Sequence, residues 1–189
     1  HNLFVTLSIG VALYPLDGAD AEALLRNAEA AMHEAKEHGG NTHRFYAAQM
    51  TAASAERLAL ETGLREALER GEFLLHYQPQ VDLKSGRITG VEALVRWRHP
   101  ERGLVPPATF IPLAEETGLI VPIGAWVLRA ACLQACAWQK ETPGAIRVAV
   151  NFSPQQFREP GLSETVRRIL GETGLDPRLL DIELTESVL

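Results

Sequence analysis

From residue 73 onward, strand-length apolar runs alternate with helix-length ones. "FLLHYQPQVDL" and "RITGVEALVRW" read as strands joined around "KSG", a hairpin-like turn. Helical stretches at 107–118 and 121–139 follow, then a strand "IRVAVN", a helix over roughly 160–174 and a strand "LLDIELTE". Past the hairpin, the order helix, strand, helix, strand points to a parallel sheet wrapped by helices, because parallel neighbours need a long crossover. Sheets of that kind, open or closed into barrels, gather their chemistry at the carboxyl ends of their strands.

The part before residue 73 has a different grammar. Only Pro15 precedes Pro79, while ten of the eleven prolines lie from Pro79 onward. "LFVTLSIGVAL" alternates Leu3, Val5, Leu7, Ile9 and Val11 with small or polar residues, the period of a strand. A helix follows "YPLDGAD", with Asp20 as N-cap, an apolar stripe of Ala21, Leu24, Leu25, Ala28, Ala31, Met32 and Ala35, and Gly39 as its stop. "NTHRFY" returns as a short edge strand. From about Ala47 to Arg70 the pattern is again helical, with Leu60, Leu64 and Leu68 at fourfold spacing, Gly63 weakening it slightly and Gly71 ending it. This segment reads as a connector entering a second domain, and no internal repeat or low-complexity tract is present.

At 189 residues and 46% hydrophobic content, the chain has room for one domain or parts of two with a sizeable core. A net charge of -6 opposes a general nucleic-acid-binding surface but leaves room for a local phosphate pocket. The cluster "RWRHPER" has no aromatic ladder beside it, so no nucleic-acid partner is expected. Apolar stretches such as "GLIVPIGAWVL" are broken by Pro122 and Gly124, and no membrane span is expected. Cys132 and Cys136 stack on one helical face and read as reduced core thiols, which suits a cytoplasmic location, or the cytoplasmic face of a membrane if upstream segments anchor the protein. His33, His38 and His43 are five apart and do not stack on a helix face, so none is expected to bind metal. "HNLFVTLSIG" lacks an initiator methionine and starts within a strand pattern, so the chain reads as a fragment.

Three polar residues stand out against the strand pattern. In "GVEALVRWRHPERG", Val91, Ala93, Val95 and Trp97 take one parity, while Glu92, Leu94, Arg96 and Arg98 take the other. Asn151 ends "RVAVN", and Glu183 lies in "DIELTE". Two carboxylates and one carboxamide on three strands form an all-oxygen donor set, suited to a hard divalent cation such as Mg²⁺ or Mn²⁺. A structural alternative is that each is simply hydrogen-bonded at a sheet rim. At about 3.3 Å per residue, Glu92 and Arg96 stand about 13 Å apart, a spacing that suits a ligand with two separated phosphates.

"EALVRW", with "YQPQVDL" before it and "FIPLAEETGLI", "VNFSPQQF" and "DIELTES" after it, resembles the EAL domain of cyclic di-GMP phosphodiesterases, from roughly residue 57 to the end. The resemblance implies an α/β fold, a (β/α)₈ barrel with one antiparallel strand, present here in part. It implies two divalent metals that activate a water, which opens one phosphodiester of cyclic di-GMP to give linear pGpG. Glu92, Asn151 and Glu183 would be metal ligands, Arg96 would contact a substrate phosphate and Leu94 would pack beside the ligand. Gln78 resembles a substrate-contacting glutamine, with a strand-end hydrogen bond as its alternative role. Glu186 resembles a glutamate that anchors the loop bearing later metal ligands. In that family, paired aspartates, a catalytic lysine and a later glutamate and glutamine follow "ELTES" by tens of residues. The chain is therefore expected to hold about half a barrel and, alone, not to hydrolyse cyclic di-GMP.

"VTLSIGVALYP" followed by "LLRNAEAAMHEAKEHGGN" is similar to the carboxyl end of GGDEF domains, the diguanylate cyclases. The expected organisation is a GGDEF-like piece at 1–46, a linker helix at 47–56 and an EAL-like piece at 57–189. Lys36 aligns with a lysine that contacts nucleotide phosphate, implying GTP as a partner there, although a C-cap charge is the plainer role for such a lysine. Gly40 stands where an arginine often completes the contact, and Glu29 and His33 replace the usual aspartate and tyrosine.

Three functions are consistent with these residues. The first is a bifunctional GGDEF–EAL signalling protein whose EAL part hydrolyses cyclic di-GMP. The second is a degenerate EAL module that senses cyclic di-GMP without cleaving it. The third is a structural or dimerising scaffold, a homodimer in the latter case, with the linker helix coupling its halves.

Overall fold

A computed structural model describes residues 5–141 and 146–184. The chain divides into two compact units, 1–60 and 61–189.

In the first unit, strand β1 (Ile9–Val11) pairs in parallel with β2 (His43–Phe45), and helix α1 (Ala21–Glu37) packs on them. Asp20 caps α1 as its sequence position suggests, its Oδ1 accepting from the Ala23 N–H at 2.8 Å. Gly10 lets helix and strand touch: a Cβ there would lie 1.8 Å from the Ala28 carbonyl oxygen. The paired strand is shorter than the alternation from Leu3 to Leu13 suggests, because β2 offers only three partners. Leu3 lies outside the described residues, and Val5 and Leu7 are exposed. Leu25, expected in the buried stripe of α1, is also exposed, whereas Ala30 is buried with Ala31 and Ala35. A two-stranded sheet covers a narrower face of the helix than its apolar residues span.

Helix α2 (Ala48–Arg70) spans the boundary between the units and ends at Gly71, whose φ of 67° is a left-handed stop. In the second unit, β3 (Phe73–Val81) and β4 (Ile88–His99) form an antiparallel hairpin. Its turn is closed by Asp82 Oδ1, which accepts from the Ser85 N–H at 2.8 Å and the Ser85 hydroxyl at 2.7 Å. A short strand β5 (Gly103–Val105), not evident in the sequence, folds back along β4. Helices α3 (Pro107–Glu116) and α4 (Ile120–Glu141) lead to β6 (Arg147–Phe152). The five-residue α5 (Pro154–Arg158) and then α6 (Leu162–Thr173) lead to β7 (Leu180–Leu184). The strand order is β3-β4-β6-β7, with β4, β6 and β7 parallel. This is the expected α/β architecture, a partial barrel of parallel strands with an antiparallel first strand.

One face of the sheet and the helices share the core. Val91, Ala93, Trp97, Val148, Val150 and Phe152 are buried, as are Ile123, Leu128 and Ala131 of α4. Trp97 is fully enclosed, stacked near Phe73 and Phe110, and its indole N–H donates to Glu72 at 2.9 Å. Gly63 of α2 lies against it: a Cβ there would be 3.3 Å from the Trp97 ring. Helix α4 runs through Pro122 and Gly124, as the helical pattern over 121–139 predicts. Pro122 sits in its first turn, where a missing N–H removes no helical bond. Among the described residues α4 is the one helix long and apolar enough to cross a membrane, and eight of its residues are buried within the protein. Cys132 is fully buried and Cys136 partly so, both as free thiols. Burial, and secondarily the neighbouring Cys136, pushes the Cys132 thiol up to about 11.

Candidate active site

The other sheet face carries the polar residues. Gln78 on β3 stands directly opposite Glu92 on β4, Glu92 is paired with Ala149 on β6, and Asn151 is paired with Glu183 on β7. Partners across a ladder point to the same face, and so do residues two apart along a strand. Gln78, Glu92, Asn151 and Glu183 therefore share one face, with Asn151 and Glu183 near the carboxyl ends of parallel strands. Glu92, Asn151 and Glu183 are half-buried, and Gln78 is exposed.

Ala149 shapes the centre of this face. Its methyl group leaves the diagonal between Glu92 and Asn151 open, and the Asn151 Nδ2 donates to Glu92 Oε1 at 2.6 Å. Asp181, which shares parity with Glu183, is turned to Arg147, 3.4 Å away, and sits one layer further from the strand ends. Two carboxylates and a carboxamide thus share one face across β4, β6 and β7. Among the described residues no three His, Cys, Asp or Glu side chains form a cluster suited to a metal ion, so a cation between Glu92 and Glu183 would take its third donor from the amide oxygen of Asn151. The set fits a hard divalent cation in chemistry, because every donor is an oxygen. A cation would take the amide oxygen, which requires the Asn151 amide to turn from its present hydrogen bond.

Past Ala93, where β4 parts from β6, a cavity of about 270 Å³ opens between the strand ends and the helices, lined by Ala93, Leu94, Val95 and Arg96 of β4, by Asn151 and Phe152 of β6, and by Ile111, Glu115 and Ile123 of the helices. The Arg96 guanidinium donates back to the Val95 carbonyl at 2.8 Å, which holds it along its own strand at the cavity edge. Leu94 and Arg96 are half-buried. Pro107 and Ile120 complete a mostly apolar wall, so the cavity combines apolar packing surface with one cation, Arg96, and one carboxylate, Glu115.

The structure brings Glu92, Asn151 and Glu183 to one face and places Leu94 and Arg96 at the adjoining cavity. Gln78 lies beside Glu92 at the outer strand. Glu186 lies outside the described residues. Lys36 is in the other unit, exposed in the last turn of α1, where its charge faces the carbonyl end of the helix. Three residues escaped the sequence reading. Glu115 lines the cavity one turn after Ile111, and that i, i+4 spacing within "FIPLAEE" was the available signal. Ser153 and Gln156 form a capping box, for which S-x-x-Q after a strand is the sequence signature.

The family model described as "EAL domain" matches residues 61–189, and the one described as "Diguanylate cyclase, GGDEF domain" matches residues 1–42. The chain is 47% identical over 187 residues to the bifunctional diguanylate cyclase/cyclic di-GMP phosphodiesterase MucR of Pseudomonas aeruginosa, covering 99% of this chain and 27% of MucR. It is 40% identical over 188 residues to the cyclic di-GMP phosphodiesterase PdeR of Escherichia coli, covering 100% of this chain and 28% of PdeR. The chain thus spans about a quarter of the length of these curated relatives. Among solved structures, the PaMucR phosphodiesterase in complex with c-di-GMP superposes with a TM-score of 0.65 at 48% identity, over 68% of this chain and 52% of that one. The FimX EAL domain of Xanthomonas citri in complex with c-diGMP gives 0.62 at 29% identity, over 72% of this chain and 52% of that one. The chain belongs to the EAL domain family, and the residues ahead of its EAL domain match the GGDEF family.

Proposed function

We propose that the second unit belongs to a phosphodiesterase that hydrolyses cyclic di-GMP to linear pGpG with a divalent cation, Mg²⁺ or Mn²⁺. The observation that carries this reading is the 2.6 Å contact between Asn151 and Glu92, with Glu183 next to Asn151 on the same face. Glu92, Asn151 and Glu183 would hold the cation. Such a cation, when bound, activates a water for attack and neutralises charge on the phosphoryl oxygens. Arg96 meets a phosphate at the cavity edge, Leu94 supplies apolar packing for a base, and Gln78 hydrogen-bonds the ligand from the outer strand. Membership of the EAL family and the named activity of MucR and PdeR support the same reaction class. In the first unit, Lys36 would contact a phosphate of GTP.

The test is cyclic di-GMP turnover by the intact protein with Mg²⁺ or Mn²⁺, followed as pGpG release, with Glu92→Ala as control. Turnover that Glu92→Ala abolishes supports the reading. Tight binding without turnover assigns a sensor instead, and no binding leaves a scaffold.

A further inference from the structure

Among the described residues two polar side chains are buried, Ser153 at 6% exposure and Gln156 at 4%. Both lie within five positions of Asn151, on the turn that leaves β6. Burying polar groups is costly unless they are bonded, and these two are bonded to each other: the Ser153 N–H donates to Gln156 Oε1 at 3.0 Å, and the Gln156 N–H donates to Ser153 Oγ at 3.4 Å. An exposed capping box would serve a five-residue helix equally well. Burial of this one requires space inside the helical layer.

Gly124 of α4 provides that space. A Cβ at Gly124 would fall 1.8 Å from Gln156 Nε2 and 2.8 Å from its Cδ, so the amide occupies the place any side chain would take. Gln156 also lines two cavities, the one beside Asn151 and a second of about 240 Å³ next to α6. With open space on both sides, the notch at Gly124 and the bond to Ser153 fix where the glutamine lies.

Resting on the function proposed above, we infer that Gln156 is a positioning residue. Seated on Gly124 and closed on Ser153, it fixes the exit of β6 so that Asn151 stays beside Glu92, where its amide can turn its oxygen to the cation. Groups that orient ligand-bearing residues typically change metal affinity by about 10–100-fold when removed. Gln156 touches none of the three donors; it acts through the backbone of Ser153, two residues after Asn151.

The experiment is a double-substitution cycle in the intact protein, with Mn²⁺ affinity by calorimetry, the Asn151 side-chain amide signal by NMR, and the melting temperature. Gln156→Ala should weaken Mn²⁺ binding about 10-fold or more and shift the Asn151 amide signal, while Gln156→Glu, which retains the acceptor for the Ser153 N–H, keeps affinity within about threefold. Gly124→Ala should weaken Mn²⁺ binding to a similar degree when Gln156 is present and add nothing once Gln156 is alanine. A lower melting temperature with unchanged Mn²⁺ affinity and an unchanged Asn151 signal overturns the inference, as does a Gly124→Ala loss that persists in full beside Gln156→Ala. If Gln156→Ala does not fold, Gly124→Ala decides: unaltered Mn²⁺ affinity overturns the inference and weakened affinity supports it. If the unsubstituted protein binds no Mn²⁺, the functional reading fails, and the Asn151 amide signal alone decides the positioning role.

Discussion

The two faces of the β4–β6–β7 sheet are made from the same strands by alternate residues, yet they are built to different ends. Val91, Ala93, Val148, Val150 and Phe152 are buried against the helices, while Glu92, Asn151 and Glu183 remain half-buried on the opposite side. The first face gains stability from apolar area removed from water. The second holds Glu92, Asn151 and Glu183 half-buried and gains less from apolar burial. One set of strands can thus be firm and reactive at once, because a period of two keeps the purposes apart.

This division can be broken by substitution. The largest expected effect is on the helix-facing side: Trp97→Ala removes a fully buried ring and its bond to Glu72, and should cost about 3–5 kcal/mol in urea unfolding. A loss below about 1 kcal/mol would mean that this face is not the stabilising one. On the open face, the function proposed above predicts that Glu183→Ala in the intact protein lowers cyclic di-GMP turnover by about 100-fold, about 2.7 kcal/mol in the barrier, with stability changed by less than about 1 kcal/mol. A large fall in stability with turnover preserved would reverse the assignment of the two faces. The smallest effect is alkaline. Burial raises the Cys132 thiol from its ordinary 9.0 to about 11, so the folded state favours the neutral thiol. The associated stability is fully present below about pH 9 and is lost as pH rises through about 11. Denaturation curves across that window should show a decline that is shallower in Cys132→Ala.

Much of this was legible in the sequence, for identifiable reasons. The hairpin was readable because Ser85 and Gly86 of "KSG" are turn residues between two alternating runs, whereas Asp82, which the pattern puts at the end of the strand, closes the turn by accepting from Ser85. The parity of Glu92, Leu94 and Arg96 fixed their common face before any register was known. Other features needed the fold. β5 has three residues, too few for a period to show. That Pro122 falls in the first turn of α4, where it leaves the helix intact, depends on where the helix starts. The exposure of Leu25 reflects how little sheet lies beneath α1, which no property of Leu25 records. The seat of Gln156 on Gly124 joins residues 32 positions apart, and spacing cannot reveal such a contact.

The most direct test of the convergence of Glu92, Asn151 and Glu183 on a cation is a crystal of the intact protein grown with Mn²⁺ and measured at the manganese absorption edge. The account predicts an anomalous peak within about 2.0–2.3 Å of a carboxylate oxygen of Glu92, the amide oxygen of Asn151 and a carboxylate oxygen of Glu183. A peak held by other residues, or no peak at saturating Mn²⁺, would contradict it.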